Sequence, residues 1–493
     1  MQAACWLLLI GVAILLAVPA LGEETEPLAL GTRREIFVDR YLLAALSGVQ
    51  MVPHEPRDEG CVFAFDRPWE GPFCGYASVL YDGSRYRLYY RGLPQPKHDT
   101  GLESLCYAES ADGLHWNRPE LGLVAFEGSR RNNILIGSSQ PGTHSFAPFL
   151  DTRPGVPASE RFKALGLERI ESKQDWSLAG FVAEDGVHWR RIRPEPVIFN
   201  DTPTFAFDSQ NVAFWSESEG KYVAYGRTWK DGVRRISRFE SPDFLHWSGS
   251  HRMEYRHDGR PAPVEEMYTN QTHPYFRAPH IYLATAARFF PGRQALTEEE
   301  ARAIQVDPGY FKDTSDSVLM STRGGYVYDR TFLTAFIKPG LGPQNWVSRS
   351  NYPALNIVPT GPNEMSVYVC QNYGQPSAHL RRYALRLDGL ASLRADYEPG
   401  EIRTKRFTFA GDRLTLNFAT SAAGGIRVEI QDDQGKPIPG YALEDCREII
   451  GNEIARDVSW KQGPEVAALA GRVVRLRIVM RDADLYALQF HRK

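Results

Sequence analysis

The sequence predicts an all-β protein, a five-bladed β-propeller followed by a β-sandwich. Three observations predict it: a short motif that ends in Trp recurs along the chain, pairs of apolar strands joined by turns precede its copies, and residues 399–493 change to regular alternation. The composition agrees, because 42 Gly, 33 Pro and 12% aromatic residues among 493 are typical of many short strands and turns.

The charge balance narrows the classes of partner. The chain has 57 Lys and Arg and 60 Asp and Glu, which gives a formal net charge of −3. Hydrophobic residues make up 43% of the chain. This composition excludes a disordered chain and a polybasic nucleic-acid binder. We therefore expect a globular protein with no nucleic-acid partner.

An apolar run at residues 7–18 comes before the first strand. Its length and the small residues Ala20 and Gly22 predict a signal peptide over residues 1–22, cleaved before Glu23. The alternative is a short membrane anchor, since Met1–Trp6 contains no Lys or Arg. We expect an exported protein, periplasmic or extracellular, with no stable membrane insertion after the signal is removed.

The recurring motif predicts one turn in each unit of the propeller. Ser110–Trp116 (SADGLHW) returns as Ala183–Trp189 (AEDGVHW) and as Ser241–Trp247 (SPDFLHW). Asp and Gly favour a tight turn, and the Trp that follows suits the core of the blade. The His of each copy is expected to be structural, because a catalytic residue would not repeat in every blade.

Strand–turn–strand pairs mark five units between residues 70 and 398. The first residues of the paired strands are Tyr76 and Tyr86, His144 and Arg161, Asn211 and Lys221, His273 and Ile281, and Glu364 and Leu380. Radially repeated sheets of this kind are the blades of a propeller. Residues 23–69 are predicted to be an N-terminal arm that packs on the propeller, with a strand at Arg34–Asp39 that closes the ring.

Beyond residue 398 the pattern changes to half-buried antiparallel strands, which predicts the β-sandwich over residues 399–493. Alternation is clear at Arg413–Phe418, Ile426–Ile430 and Val474–Val479. The one helix signal is Thr297–Arg302, where an N-cap residue is followed by acids, within an insertion in the fourth unit.

Cysteine spacing and motif searches give mainly negative results. Of six cysteines, Cys5 leaves with the predicted signal, and the remaining five include no C-x-x-C pair. Cys61 and Cys74 either form a disulfide or are buried thiols. The chain contains no HExxH, P-loop, GxSxG or GxGxxG motif, so no metal or other cofactor is predicted.

Five blades followed by a β-sandwich resemble glycoside hydrolase family 32, and the propeller alone is similar to families 43 and 68. The run Tyr268–His280 (YTNQTHPYFRAPH) also resembles planctomycete-type secreted proteins. The resemblance implies a glycosidase with three acids at the mouth of a central funnel. The family's acid motifs are not intact, since Asn200–Pro203 and Asp66–Pro68 are only imperfect echoes of them.

Hydrolysis of a glycoside requires two carboxyl groups beside the bond. Acids that come just before the first strand of a blade are the candidates for a funnel site, and Asp208, Glu364 and Glu70 are predicted to be catalytic. Asp208 is the strongest of them, because polar Gln210 and Asn211 follow it in an otherwise apolar stretch. Glu266, in a loop before the fourth blade, is a weaker candidate.

Aromatic and polar residues near the predicted funnel are candidates for carbohydrate binding. Arg277 can hold a carboxylate or sulfate by bidentate bonds, and Trp346 begins a loop that can form a rim. The full predicted set is Trp69, Gln210, Asn211, Asn270, His273, Arg277, Trp346, Arg349 and Tyr352.

The sequence therefore favours an exported glycosidase that acts on a poly- or oligosaccharide. The alternative is a non-catalytic carbohydrate-binding propeller. A sialidase is a weaker alternative, because Ser110–Gly113 resembles an Asp box but five units are counted instead of six. The sugar, its linkage, the stereochemical outcome and the oligomeric state are left open.

Overall fold

A computed structural model describes residues 26–96, 102–138, 140, 142, 144–168, 176–202 and 204–493. It is all-β, with a five-bladed propeller and an additional antiparallel sheet region, so the predicted fold class is confirmed. The predicted signal peptide lies outside the described residues.

The first five strands of the chain join two different sheets. They are β1 (Leu28–Gly31), β2 (Arg34–Ile36), β3 (Leu43–Ser47), β4 (Val49–Pro53) and β5 (Arg57–Ala64). Strands β1 to β4 pair with strands from the C-terminal part of the chain, whereas β5 pairs with the propeller.

The first three blades are four-stranded antiparallel sheets that follow the chain order. Blade one contains β6 (Gly75–Tyr81), β7 (Tyr86–Gly92), β8 (Ser104–Ser110) and β9 (Ile134–Gly137). Blade two contains β10 (His144–Leu150), β11 (Phe162–Glu168), β12 (Ser177–Ala183) and β13 (Arg190–Arg191). Blade three contains β14 (Val212–Ser216), β15 (Lys221–Lys230), β16 (Val233–Ser241) and β17 (His251–Arg252).

The last two blades take in strands from other parts of the chain. Blade four has β20 (Glu266–Tyr275), β21 (Ala278–Phe290), β22 (Thr314–Thr322) and β23 (Val327–Asp329), with β18 (Glu254–His257) and β19 (Arg260–Pro261) at its edge. Blade five has the short inner strands β24 (Tyr352–Pro353) and β25 (Val358–Pro359), then β26 (Glu364–Gln371), β27 (His379–Arg386) and finally β5.

The ring is closed by β5, the outermost strand of blade five. It pairs antiparallel with β27, from His379 opposite Ala64 to Ala384 opposite Arg57. The prediction that Arg34–Asp39 closes the ring is wrong. Strand β2 in that segment pairs instead with the last strand of the chain, where Ile36 faces the fully buried Ala487.

Five of the remaining strands belong to the additional antiparallel sheet region. They are β28 (Ala391–Ala395), β29 (Gly400–Thr404), β31 (Arg413–Gln431), β32 (Asn452–Asp457) and β33 (Arg475–His491). The sixth, β30 (Phe407–Phe409), pairs in parallel with β1 in a separate two-stranded sheet. Strands β31 and β33 pair along most of their length, with a break in register between Thr420 and Gly425. Their alternate residues face one apolar core around the fully buried Trp460.

The recurring motif forms the same turn in three blades. In the first copy the Asp112 carboxylate accepts hydrogen bonds from the backbone N–H groups of Leu114 (2.8 Å) and His115 (2.9 Å), and its other oxygen contacts His115 Nδ1 at 2.7 Å. Asp185 and Asp243 repeat these contacts. The histidines are mostly exposed on these turns, away from the first strands.

Helical structure is sparse in the described residues. Helix α1 (Glu298–Ala303) begins after Thr297, which forms a capping box with Glu300, as the sequence pattern predicts. Short 3-10 turns occur at Ala158–Glu160 and Ala467–Leu469. Within the described ranges, no helix has the length and apolar character needed to cross a membrane.

Candidate functional site at the funnel mouth

The first strands of the five blades surround the propeller axis, because each contacts the first strands of its neighbours. At the end where these strands begin, every blade departs from regular strand geometry, through a shift in pairing register or a positive φ. The departures, in blade order, lie at Tyr76, Ser145, Phe207, Tyr268 and Arg349. Such departures re-aim side chains and are concentrated at functional sites. We call this end the funnel mouth.

Side chains from the first three blades contact one another at the funnel mouth. The rings of Tyr76 and His144 lie edge to face, 6.0 Å between centroids. His144 Nε2 is 3.5 Å from Asp208 Oδ1, and the other carboxylate oxygen of Asp208 is 3.1 Å from Arg227 Nη2. Asp208 is 34% exposed, whereas Arg227 is almost fully buried beneath it. The carboxylate of Asp208 is therefore held from below and open to the funnel.

A second carboxylate stands behind His144. Glu103 Oε1 lies 2.7 Å from His144 Nδ1, and both side chains are buried. The imidazole is thus placed between two carboxylates, with Asp208 on the funnel side. Glu103 orients the ring, and His144 in turn helps to fix the position of Asp208.

Tyr268 in blade four is surrounded by arginines. The guanidinium carbons of Arg227, Arg234 and Arg349 lie 5.0, 4.8 and 5.6 Å from the centre of its ring. Burial by itself raises the pKa of the phenol, but Arg349 and Arg227 outweigh it, and the pKa lies below its ordinary value. Tyr268 sits where the β20–β21 register shifts between Met267 and Thr269, so a bulge directs it.

Blade five contributes Arg349 and Tyr352 to the funnel mouth. The rings of Tyr352 and Tyr268 are 5.3 Å apart, and Arg349 lies over Tyr268. The contacts therefore run from Tyr76 through His144, Asp208, Arg227 and Tyr268 to Arg349. One site takes a side chain from each of the five blades.

Below this site, two amides block the axis of the propeller. Gln210 Nε2 donates to Tyr76 O at 3.1 Å and to Ser78 Oγ at 2.8 Å. Gln271 Nε2 donates to Gln210 Oε1 at 2.6 Å and to Pro353 O at 3.1 Å. The pair joins blades one, three, four and five. Gln210, predicted to bind substrate, thus lies in the floor of the site.

Three other predicted binding residues are engaged in buried contacts. Asn211 holds the turn before β14 through Phe207 O and Ser209 O, and Asn270 contacts Tyr328 Oη. His273 contacts Gln271 O through Nδ1 and accepts from Ile357 N through Nε2. Burial lowers the pKa of His273 to about 4.

Glu70 is fully buried beside blade one. Its carboxylate accepts hydrogen bonds from Arg118 Nε at 2.8 Å, Arg118 Nη2 at 3.0 Å and Arg67 N at 3.1 Å, and from Tyr90 Oη. Trp69 next to it donates to Asn133 Oδ1 at 2.7 Å and packs on Phe126. These contacts tie the first blade together.

Glu364 begins β26 and is bound by arginines as well. It contacts Arg57 Nη2 at 2.8 Å and Arg382 Nη2. Strand β26 runs antiparallel to β24, so Glu364 lies at the end opposite to the Tyr352 end of the blade. The catalytic roles of Glu70 and Glu364 stay predictions, and the contacts described for them are with arginines and not with Asp208.

The remaining predicted residues differ in their relation to these contacts. Glu266 pairs at 3.0 Å with Arg234, one of the arginines around Tyr268, whereas Arg277 pairs with the buried Asp388 at 3.3 Å. Trp346 is 38% exposed and donates to Gly340 O. Of the predicted set, the structure brings together Asp208, Gln210, Arg349 and Tyr352.

Two buried arginines at the funnel mouth carry a signal in the sequence. Arg91, which lies over the ring of Tyr76, is the last residue but one of the buried strand β7, and Arg227 follows the apolar run Tyr222–Gly226. A charged residue in a buried strand is costly unless it is paired or serves a site. Tyr76, His144 and Tyr268 gave no such signal, because aromatic residues are frequent in every strand.

The opposite end of the propeller axis holds a cavity of about 490 Å³. Its walls are mostly apolar, with Phe149, Phe214, Trp215 and Phe276 among them, and its titratable residues are Tyr81, Glu217 and His273. Without convergent polar groups it is a weaker candidate site than the funnel mouth, despite its size.

The described residues contain no cluster of three or more His, Cys, Asp or Glu arranged to hold a metal ion. Cys61 is exposed and Cys74 is buried, and neither forms a disulfide, nor do the other three cysteines of the described chain. A disulfide between Cys61 and Cys74 is therefore wrong, and the alternative of a buried thiol holds for Cys74 but not for the exposed Cys61.

No protein-family profile matches the chain, and no curated protein is similar to it in sequence. Among solved structures it is similar to a glycoside hydrolase (11% identity, TM-score 0.44, 68% of this chain and 92% of the other). It is also similar to the Bombyx mori family 32 β-fructofuranosidase (11%, 0.39, 88% and 94%). A third is an N-acetylgalactosamine deacetylase from F. plautii in complex with a blood group B trisaccharide (12%, 0.44, 70% and 97%). These are distant likenesses of fold.

Proposed function

We propose that this protein is an exported glycosidase that cleaves a poly- or oligosaccharide at the funnel mouth, with Asp208 and Tyr268 as its reacting groups. One observation carries the proposal. Asp208 and Tyr268, from neighbouring blades, both contact the buried guanidinium of Arg227, at the end of the propeller where every blade departs from regular strand geometry.

Asp208 supplies the carboxylate that glycoside cleavage requires. Arg227 and His144 stabilise negative charge on it, and its partial exposure lets a sugar reach it. In the reaction it either forms a bond to the anomeric carbon or takes a proton from the water that attacks this carbon. The geometry is compatible with both stereochemical outcomes.

Tyr268 supplies the proton for the leaving group. Its neighbours lower the pKa of the phenol, which makes it a stronger acid than an ordinary tyrosine. As the bond between the anomeric carbon and the glycosidic oxygen breaks, the phenolic proton passes to that oxygen. The resulting phenolate is stabilised by the arginines around it.

The second candidate function is carbohydrate binding without cleavage. It is favoured by the contacts of Glu70 and Glu364, because both carboxylates are bound by arginines and no described contact joins either of them to Asp208. A binding protein would use the same tyrosines and arginines to hold a sugar. Turnover measurements separate the two functions.

The test uses two kinds of substrate, natural oligosaccharides and dinitrophenyl glycosides, whose leaving group departs without protonation. We expect Asp208→Asn to lower kcat/KM on both kinds by about a hundredfold or more. Tyr268→Phe lowers kcat/KM on oligosaccharides by about 10²–10⁴, the usual contribution of general acid catalysis, and by less than about tenfold on the activated glycosides.

Tyr81→Phe and Asp433→Asn are matched controls, because both residues are exposed and lie outside the funnel mouth. Full activity of Asp208→Asn would overturn the proposal. Equal losses on both substrates in Tyr268→Phe would remove the assigned role of the phenol. Glycan binding with no turnover on a broad panel would establish the second candidate function.

A further inference from the structure

Arg349 is a cation without an acidic partner in the described part of the chain. Its guanidinium carbon lies 5.0 Å from the ring centre of Tyr310, 5.6 Å from Tyr268 and 5.9 Å from Tyr373. The guanidinium is buried, and no carboxylate of the described residues forms an ion pair with it. Its backbone has a φ of 61°, in the left-handed region.

The other ionic groups around the funnel mouth form pairs. Asp208 is bound to Arg227, Glu103 to His144 and Glu266 to Arg234. Arg91 is bound through Nη2 to neutral acceptors, Phe73 O at 2.8 Å and Tyr373 Oη at 3.0 Å. Glu103 also acts electrostatically on Arg91, but among the described residues around the funnel mouth four arginines outnumber three carboxylates. The arginines are Arg91, Arg227, Arg234 and Arg349, and the carboxylates are Glu103, Asp208 and Glu266, so these residues carry an excess of positive charge.

These two arginines line one small cavity. Its other lining residues are Gly75, Tyr76, Tyr352, Cys370 and Tyr373. The cavity measures about 10 Å³, the space that a single water-sized group needs. Arg91 Nε and Tyr352 Oη are buried without a hydrogen-bond partner, and the lining contains no carboxylate.

A buried donor without an acceptor costs free energy, and two such donors beside a guanidinium form a site for an oxygen with negative charge. We propose that the funnel mouth binds an acidic sugar and that Arg349, Arg91 and Tyr352 hold its anionic group, a carboxylate or a sulfate. One oxygen of the anion enters the cavity, and the sugar ring lies above it, next to Tyr268 and Asp208. This inference rests on the proposed carbohydrate function and deepens it.

The experiment measures binding, so that it does not depend on turnover. Calorimetric titrations of the full chain compare galactose, galacturonate and sulfated galactose, and glucose with glucuronate. We expect at least one acidic sugar to bind about tenfold or more tightly than its neutral parent. Comparing galacturonate with sulfated galactose shows whether the site prefers a carboxylate or a sulfate. Tighter binding at low salt supports an ionic contact between the sugar and the protein.

Arg349→Met keeps the apolar stem and removes the charge. We expect it to reduce the preference for the acidic sugar about tenfold or more, while Arg349→Lys retains part of it. Arg481→Met is the matched control, since Arg481 also lies over an aromatic ring but in the C-terminal region. If Arg349→Met fails to fold, two other measurements test the inference. They are the preference of Arg349→Lys for the acidic sugar and the salt dependence of acidic-sugar binding by the unmodified protein.

Equal affinity for acidic and neutral sugars would overturn this inference and leave the proposed glycosidase intact. An unchanged preference in a folded Arg349→Met variant would overturn it too, as would the absence of binding by every acidic sugar at millimolar concentration. Acid-selective binding without cleavage would support the inference while refuting glycoside hydrolysis.

Discussion

Replacing Glu70 by Gln separates a structural role of this carboxylate from the catalytic role that its position in the sequence predicts. The change is nearly isosteric, and it removes the charge that faces Arg118. The carboxylate is fully buried and accepts four hydrogen bonds, two from Arg118, one from Arg67 N and one from Tyr90 Oη. An amide keeps one acceptor oxygen and places N–H donors against the donors of Arg118.

The expected loss of stability in Glu70→Gln follows from this arrangement. Breaking a buried ion pair by removing one partner costs about 3–5 kcal/mol. Arg118 retains a contact to Asp66 at 3.5 Å and its position over the Phe63 ring, so the lower end applies, about 3 kcal/mol. At roughly 2 °C per kcal/mol for a large domain, the melting temperature is expected to fall by about 6 °C.

The assay combines thermal unfolding, followed by tryptophan fluorescence, with turnover per folded molecule at a temperature well below the transition. The Glu70→Gln/Arg118→Met double variant is expected to recover part of the loss, because no buried charge is then left alone. Glu364→Gln is the matched change at a half-buried carboxylate that is also bound by arginines. An unchanged melting temperature of Glu70→Gln together with a hundredfold loss of turnover would refute the structural role and support catalysis.

The remaining predictions concern pH. Tyr268 must be protonated to act as an acid, and its pKa lies below the ordinary value for tyrosine. Activity on oligosaccharides is therefore expected to fall as the pH rises through this pKa. The pH–rate profile of Tyr268→Phe should lack this fall at alkaline pH. A fall that persists in the variant would contradict the assignment. His273 is stable only as the neutral ring, since Nε2 accepts from Ile357 N, and its pKa is about 4 against 6.5 in the unfolded chain. The unfolded state binds more protons between these values, so stability is expected to fall by about 3 kcal/mol as the pH drops from 6.5 to 4. Urea unfolding across this range should show a flatter dependence in His273→Gln, and an identical slope would contradict it.

The blades could be predicted because their signals are local. Each copy of the Asp turn spans seven residues, and its hydrogen bonds join atoms two or three residues apart, as in Asp243 to Leu245 and His246. A turn of this kind is determined by residues that are adjacent in the sequence. The capping box of α1 could be predicted for the same reason.

Ring closure could not be predicted in this way. Strand β5 (RDEGCVFA) has weak alternation, and its outer position leaves most of its residues exposed or half-buried. Strand β2 alternates no better, and its partner lies at the other end of the chain. Choosing between the two requires knowledge of which sheet edge is free, and this depends on tertiary contacts.

The site was predicted in part for a related reason. Asp208 was identified because polar residues follow it in an apolar stretch, and Arg349 because it lies in a polar, aromatic loop. Glu103 acts through His144, and Tyr268 owes its properties to three arginines from distant parts of the chain. Such properties arise only after folding brings these residues together.

The closing strand also has a consequence during synthesis. Asp58 and Arg381, which pair across the seam of the ring, are 323 residues apart. At roughly 5–20 residues per second, β5 waits about 15–65 s for its partner strand to be made. During that interval β5 has no edge to join, and the incomplete ring exposes strands that can associate with other chains. A chaperone that shields the first sixty or so residues would therefore affect the yield of this protein more than one that acts on the finished chain.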